Sequence, residues 1–174
     1  MSLQQDIASR LEQAFSHRGF AEPSVAELKT AAEVSLRTLY RHFPSKESMV
    51  IGALAHRHAR YLEFLREGLP APGKAALVHL FQRLGQWMKN DAPHGCLSMS
   101  AFVAFPGHPD IVDAVSQHKR DMIQLLADLS GRPDLAQALF LLHEGASAAW
   151  PLLGEQAIHA AQHAALQLTE GNPS

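Results

Sequence analysis

The sequence predicts an all-α protein of about nine helices. Apolar residues recur at three- and four-residue steps along most of the chain, as they do on the buried face of a helix. Serine, glycine and proline interrupt these stretches, and no stretch alternates apolar and polar residues as a half-buried strand does. The 174 residues are 47% hydrophobic, which is sufficient for a folded core.

The first two predicted helices have clear ends. The apolar face of the first helix comprises Leu3, Ile7, Leu11, Ala14 and Phe15. Gly19 ends this helix, and Ser24 begins the second, because Ser24 and Glu27 have the spacing of a capping box. The inner face of the second helix comprises Val25, Leu28 and Ala32.

A third helix of about two turns and a longer fourth helix follow. Ser35 is the expected N-cap of the third helix, and Leu39 lies on its expected inner face. Pro44 ends the third helix, because proline cannot continue one. Ser45 begins the fourth helix, which we expect to extend to about Gly68.

Residues 68–74, "GLPAPGK", are the best candidate for a boundary between groups of helices, because two prolines and two glycines interrupt the helical spacing there. Five further helices are predicted, over residues 74–90, 95–104, 109–130, 134–150 and 154–169. No apolar run approaches the roughly 20 residues that span a bilayer, and the N-terminus lacks a signal pattern. We therefore expect a cytoplasmic protein.

A short cationic segment coincides with the third predicted helix. In "VSLRTLYRHFPSKESM", residues 34–49, four basic side chains lie within ten positions: Arg37, Arg41, His42 and Lys46. Since the net charge of the chain is −2, contact with nucleic acid would require a local patch of this kind. A single short helix fits the major groove, where arginine binds the edges of guanine.

Other polar groups of this region suit contacts with phosphate. The residues to which we assign that role are Tyr40, His42, Lys46 and the hydroxyls of Ser24 and Thr38. Lys46 is informative, because a cation in the first turn of a helix opposes the helix dipole unless an anion docks there. The competing interpretation is a solvated basic surface on an ordinary helix, and charge alone does not exclude it.

Residues 11–54 resemble the DNA-binding domain of the TetR/AcrR family of transcriptional regulators. The pieces that match include "RGF" at 18–20, "AEVS" at 32–35 and the specific block "TLYRHFPSKE" at 38–47. The resemblance implies a three-helix head whose third helix enters the major groove. It also implies a homodimer that binds a palindromic operator, as a repressor that a small-molecule effector releases.

The resemblance further implies two domains. Residues 1–46 would form the DNA-binding domain, which the fourth helix connects to an effector-binding and dimerisation domain, residues 47–174. The positions where the family contacts bases or the nearby backbone are Leu36, Arg37, Thr38 and Tyr40. The positions where it contacts phosphates are Ser24, Tyr40, His42 and Lys46.

Two positions depart from the family pattern. The family usually has a small residue where this chain has Lys29, and glycine where it has Glu33. Glycine serves there because the turn favours a positive φ, and a glutamate in that conformation costs on the order of 1 kcal/mol. We therefore expect a strained or remodelled turn. Lys29 is either an added phosphate contact or a solvated substitution.

The second half of the chain is rich in Met, Phe, Trp and His at helical spacing. Such side chains line adaptable pockets, although they fill ordinary cores as well. The candidate ligand-binding residues are Trp87, Met99, Phe102, His118 and Met122. The last two helices carry small alanines, and the resemblance makes them the dimer interface; the alternative is packing within one chain.

The sequence gives little support for a redox sensor, a metal site or an enzyme. Cys96 is a candidate redox sensor, but its basic neighbour in sequence is His94 alone, which favours a structural role. His159 and His163 are four apart and suit two zinc ligands, yet no cysteine or carboxylate cluster completes a site. We predict no metal, no cofactor and no enzymatic activity. The alternative function is an all-α small-molecule- or metal-binding protein without sequence-specific DNA binding.

Overall fold

The computed structural model describes residues 2–170 and confirms the all-α class. This part of the chain contains nine α-helices and one 3-10 helix, and it has no strand. The α-helices are α1 Leu3–Arg18, α2 Val25–Ala31, α3 Leu36–His42, α4 Lys46–Arg66, α5 Lys74–Asn90, α6 Leu97–Ala104, α7 Pro109–Ser130, α8 Ala136–Leu153 and α9 Glu155–Glu170. None of these helices is long and apolar enough to cross a membrane.

Serine side chains cap the starts of α2, α3 and α4. The Ser24 side chain accepts a hydrogen bond from the amide of Glu27, and the Glu27 carboxylate accepts one from the amide of Ser24, which confirms the predicted capping box. Ser35 caps α3 as predicted, since its hydroxyl accepts from the Thr38 amide at 3.0 Å. The Ser45 hydroxyl accepts from the Ser48 amide at 3.1 Å and so caps α4.

The predicted ends of α8 were wrong at both termini. The chain first forms a 3-10 turn over Pro133–Leu135, so the α-helix begins two residues later than expected. The helix then continues through Pro151 to Leu153. Pro151 lies in the last turn and removes the hydrogen bond that an amide there would donate to the carbonyl of Ser147. Gly154, with φ of 55°, ends the helix.

The chain divides into two compact units. The first, which we call the head, contains the residues up to Tyr61 together with Leu97–Gln117. Its core combines α1–α4 with Leu97 and Ala101 of α6 and with Ile111 of α7. Leu3, at the start of the apolar face of α1, is half exposed. The predicted functional division between residues 46 and 47 stays a prediction, because compactness does not define where DNA binding ends.

The second unit contains Leu62–Cys96 and the residues from His118 onward. In this unit α8 packs along α9, and α9 packs along α5. At the contact between α5 and α9, Gly85 faces Ile158, and a Cβ atom at Gly85 would lie at an ordinary contact distance of 3.5 Å from that side chain. The apolar residues of α5 are buried here as expected from their spacing: Leu77, Leu80, Phe81, Leu84 and Trp87.

Candidate nucleic-acid interface

The turn between α2 and α3 sets the direction of α3. The amide of Glu33 donates to the carbonyl of Thr30 at 3.1 Å, and the amide of Val34 donates to the carbonyl of Lys29 at 3.4 Å. These two bonds form a Schellman motif with Glu33 in its left-handed position. The φ of Glu33 is 54°, and among residues 2–170 no other non-glycine residue has a positive φ. The expected strain is therefore present, at a cost on the order of 1 kcal/mol.

Arg10 of α1 contacts this strained turn. Its guanidinium donates hydrogen bonds to the Glu33 carboxylate and, at 3.4 Å, to the carbonyl of Ala32. A second ion pair joins Arg10 to Asp6 one turn earlier, at 3.4 Å. Arg10 was not among the predicted site residues. A weak signal existed, because a glutamate at a glycine position calls for a compensating cation, but nothing in the sequence identified which one.

The inner side of α3 is firmly seated. Leu39 is fully buried, and Phe43, the C-cap of α3, is 5% exposed. The Phe43 ring lies against α4 at Gly52, where an added Cβ atom would approach Cε1 of the ring to 2.3 Å. The absence of a side chain at Gly52 therefore makes room for the Phe43 ring. The position of Gly52 in an apolar helical run did not indicate this role.

The outer side of α3 is open and basic. Leu36 is 45% exposed and Tyr40 is 42% exposed, and the side chains of Arg37 and Arg41 are exposed beside them. A surface of arginines with methyl and aromatic groups suits the donor, acceptor and methyl pattern of the major groove. The structure thus brings these four predicted residues together on one face.

The hydroxyls of Ser24 and Thr38 are already engaged. Ser24 Oγ donates to the Glu27 carboxylate at 2.8 Å, and Thr38 Oγ1 lies 2.8 Å from Ser35 Oγ. The backbone and side chain of Ser24 hold the pKa of Glu27 below its ordinary value. To donate to a phosphate, the Ser24 hydroxyl would have to give up its hydrogen bond to the Glu27 carboxylate. The phosphate contact of Ser24 stays a prediction.

His42 and Lys46 flank the junction of α3 and α4, where both are half-buried. Within the described residues the Nε2 atom of His42 is buried and has no hydrogen-bond partner. The Glu47 carboxylate lies at the start of α4. Hydrogen bonds from its own backbone amide and from the Ser45 hydroxyl hold its pKa below the ordinary value. A phosphate at this helix end would share the site with that carboxylate, and the two phosphate roles stay predictions.

A buried ion cluster joins α1 to α4 within the head. The Glu12 carboxylate is almost fully buried and accepts from Arg57 at 3.0 Å and Arg60 at 2.8 Å, while Nδ1 of His56 lies 2.6 Å away. Burial raises the pKa of Glu12, but hydrogen bonds from Arg60 and His56 and the arginine charges outweigh it, so the pKa is lowered. This cluster was not predicted. The signal in the sequence was that His56, Arg57 and Arg60 share one face of the fourth helix.

The five candidate ligand-binding residues do not belong to one compact unit. Trp87 and Met122 are buried, and with His118 they belong to the second unit. Met99 and Phe102 belong to the head, and each is 40% exposed. The ligand-binding role of all five stays a prediction.

A polar cluster surrounds Cys96 in the second unit. Nζ of Lys119 lies 3.5 Å from the Cys96 sulfur and 2.7 Å from the Glu144 carboxylate. Burial lowers the pKa of Lys119, but interactions with Cys96 and Glu144 outweigh it and raise the pKa. The sequence placed only His94 near Cys96, whereas the fold places a cation beside the sulfur, an environment typical of reactive cysteines. A sensing role for Cys96 stays a hypothesis.

Glu144 also contacts the buried His143, whose Nδ1 lies 3.2 Å from the carboxylate. Burial raises the pKa of Glu144, yet the hydrogen bond from His143 and the charge of Lys119 prevail and lower it to about 2. His159 and His163, the pair with zinc-like spacing, are exposed on α9. In residues 2–170 no three metal-binding side chains converge.

A short helix that follows a tight turn, is anchored on one side and exposes arginine on the other has the geometry of a helix-turn-helix motif. The family described as "Bacterial regulatory proteins, tetR family" matches residues 7–53. Residues 7–53 therefore belong to this tetR family.

Known proteins of this fold include regulators with related sequences. The HTH-type transcriptional repressor NemR of Escherichia coli is 30% identical over 122 residues, which are 67% of this chain and 61% of the repressor. The crystal structure of the reduced form of NemR has a TM-score of 0.73 at 25% identity and covers 94% of this chain and 95% of that one.

Two further structures share the fold at lower identity. SCO4454, a TetR-family transcriptional regulator from Streptomyces coelicolor, has a TM-score of 0.80 at 18% identity, over 97% of this chain and 96% of that chain. The multidrug binding protein EbrR, complexed with proflavin, has a TM-score of 0.69 at 20% identity, over 97% of this chain and 99% of that chain.

Proposed function

We propose that this chain is a ligand-responsive transcriptional repressor. It binds a palindromic operator as a homodimer, and a small-molecule effector bound by residues of its C-terminal domain releases it from DNA. The observation that carries the proposal is the outer face of α3, where Arg37 and Arg41 are exposed next to Leu36 and Tyr40 on a helix seated by Leu39.

The surface of α8 supports the homodimer. Five consecutive positions along one side of this helix are exposed: Gln137, Leu141, Gly145, Ala148 and Leu152. Leu141 is 68% exposed and Leu152 is 88% exposed, which is unfavourable in water unless a partner covers them. Gly145 and Ala148 lie between them and allow a second helix to approach closely. We therefore infer that α8, with α9 beside it, forms the interface between two copies.

The family and the fold support a small-molecule effector. The structure of EbrR contains proflavin, so this fold holds a flat aromatic molecule in at least that protein. The buried residues Trp87 and Met122 provide aromatic and flexible apolar surface in this chain, which suits an apolar effector.

Replacement of the exposed arginines tests the DNA-binding proposal. In a gel shift with the DNA upstream of the chain's own coding region, Arg37→Ala and Arg41→Ala should each weaken specific binding by about 1–3 kcal/mol, because each removes a base contact. Binding to random DNA should change much less, since base contacts do not contribute to it.

Lys46→Ala is the matched control, because it removes a cation of the same segment that we assign to phosphate. It should weaken binding to specific and random DNA alike and reduce the salt dependence by about one unit of slope. If the unmodified chain and all three variants retard both DNAs equally, the chain does not bind DNA specifically, and the alternative of a helical binding protein without an operator is favoured.

A further inference from the structure

The strained turn at Glu33 has an unusual support. A left-handed residue at this point of a Schellman motif is normally glycine, which adopts the conformation without steric cost. Glu33 adopts the same conformation, with φ of 54°. A glutamate persists in such a position only where surrounding contacts hold it there.

Arg10 supplies those contacts from a different helix. It donates to the Glu33 carboxylate and to the carbonyl of Ala32, which is the C-cap residue of α2. Such carbonyls at the end of a helix lack an intrahelical donor, so Arg10 satisfies a group that the turn leaves open. The ion pair with Asp6 orients the guanidinium, and the Arg10 side chain is only 32% exposed.

The position of this turn gives it influence over α3. Ser35, the N-cap of α3, follows Glu33 by two residues. A rotation about the backbone of Glu33 therefore changes the direction in which α3 leaves the turn. Since α3 carries Arg37 and Arg41, the same rotation would move the side chains that we assign to base contacts.

We propose that Arg10 is a positioning residue for operator recognition, which acts by holding the Glu33 turn in its left-handed conformation. The pair of Arg10 and Glu33 takes the place of the glycine that other members of the family use. This inference rests on the proposed DNA-binding function. Arg10 itself makes no base contact in this account; its effect on the operator passes through the turn and α3.

A double-mutant cycle tests the proposal on the full chain. Four proteins are compared: unmodified, Arg10→Ala, Glu33→Gly and the double variant. We expect Arg10→Ala to shift the backbone amide resonances of residues 33–36 without DNA present. It should also weaken binding to the upstream operator about fivefold, the upper range for a partly exposed ion pair, with little change on random DNA.

Glycine at the turn should make Arg10 dispensable. In the Glu33→Gly background, we expect Arg10→Ala to change operator affinity by less than about twofold, because glycine needs no ion pair to hold a positive φ. Arg18→Ala is the matched control, since it breaks another exposed ion pair between α1 and α2, with Glu27 at 3.3 Å, away from the turn. It should leave operator affinity within about twofold.

Two outcomes would overturn the proposal. Equal losses on operator and random DNA from Arg10→Ala, with and without Glu33→Gly, would identify Arg10 as a direct phosphate contact. Unchanged amide resonances of the turn in Arg10→Ala would show that Arg10 does not hold it. If the unmodified chain fails to discriminate the operator, the DNA-binding function fails, while the resonances still decide whether Arg10 holds the turn.

Discussion

The helices α3 and α8 both expose leucine to solvent, but the neighbours of those leucines differ. On α3, Leu36 lies beside Arg37, and Arg41 lies one turn further along. On α8, Leu141 and Leu152 are separated by Gly145 and Ala148, and no charged residue interrupts the stripe. The same exposed side chain therefore has two different surroundings.

The surroundings indicate different partners. A polyanion attracts arginine from a distance, and leucine adds a methyl contact once the groove is occupied. The exposed stripe of a second α8 offers no charge. It can be covered by small residues that permit close approach and by leucines that lose contact with water. The residues that flank the exposed leucines therefore indicate what kind of partner covers each helix. Three experiments test these assignments of α3 and α8.

The largest effect should come from Leu152→Glu on α8. A charge in the stripe would separate the two copies, so that light scattering reports a mass near 19.0 kDa instead of about twice that value. Operator affinity should fall by about 100-fold or more, because each head would then bind one half-site alone. Val103→Glu, a matched change at a residue of α6 that is exposed as well, should leave the mass unchanged. A Leu152→Glu protein that remains dimeric would remove α8 from the interface.

A smaller effect should come from acid, which tests the inner side of α8. The pKa of Glu144 is about 2 in the folded chain, below the ordinary 4.5, so its stabilising contribution is present above pH 4.5 and is lost as the pH falls toward 2. At pH 7, Glu144→Gln should lower the free energy of unfolding by at most about 3 kcal/mol in a urea titration.

Below about pH 4, the difference between the unmodified chain and Glu144→Gln should shrink, because the glutamate of the unfolded chain is then protonated while that of the folded chain stays ionised until the pH approaches 2. Glu170→Gln is the control, since Glu170 pairs with Lys74 on the surface and 61% of its side chain is exposed. It should change stability little at any pH. A deficit in Glu144→Gln that is the same at pH 7 and pH 3 would mean that the Lys119 pair is not the cause.

The smallest effect should come from Gly52→Ala, which displaces α3 without touching α8. Alanine favours a helix over glycine, but its Cβ would overlap the Phe43 ring, so we expect a net loss of about 1–2 kcal/mol in unfolding free energy. Operator binding should weaken while the dimer persists. Gly85→Ala, whose Cβ would meet Ile158 at an ordinary 3.5 Å, should be neutral or stabilising. A stabilised Gly52→Ala chain would show that the Phe43 ring moves aside at no cost.

Much of the fold was predictable because its signals are local. Ser24 with Glu27, Ser35 and Ser45 each cap a helix through contacts within three residues, and all three were predicted. The α8 boundaries were wrong, because whether a proline is tolerated near a helix end depends on details of the last turn. Of the candidate DNA-binding face, Leu36, Arg37, Tyr40 and Arg41 could be placed together from helical spacing alone.

The helices and the basic face of α3 follow from the amino-acid sequence alone, since they depend on residues within a few positions of one another. Tertiary structure decided that Arg10 reaches the Glu33 turn, that Gly52 receives the Phe43 ring and that Lys119 lies beside Cys96. It also decided which leucines of α8 are exposed to solvent. Such contacts join positions far apart in the chain, and periodicity along one helix identifies a face without specifying what that face will meet.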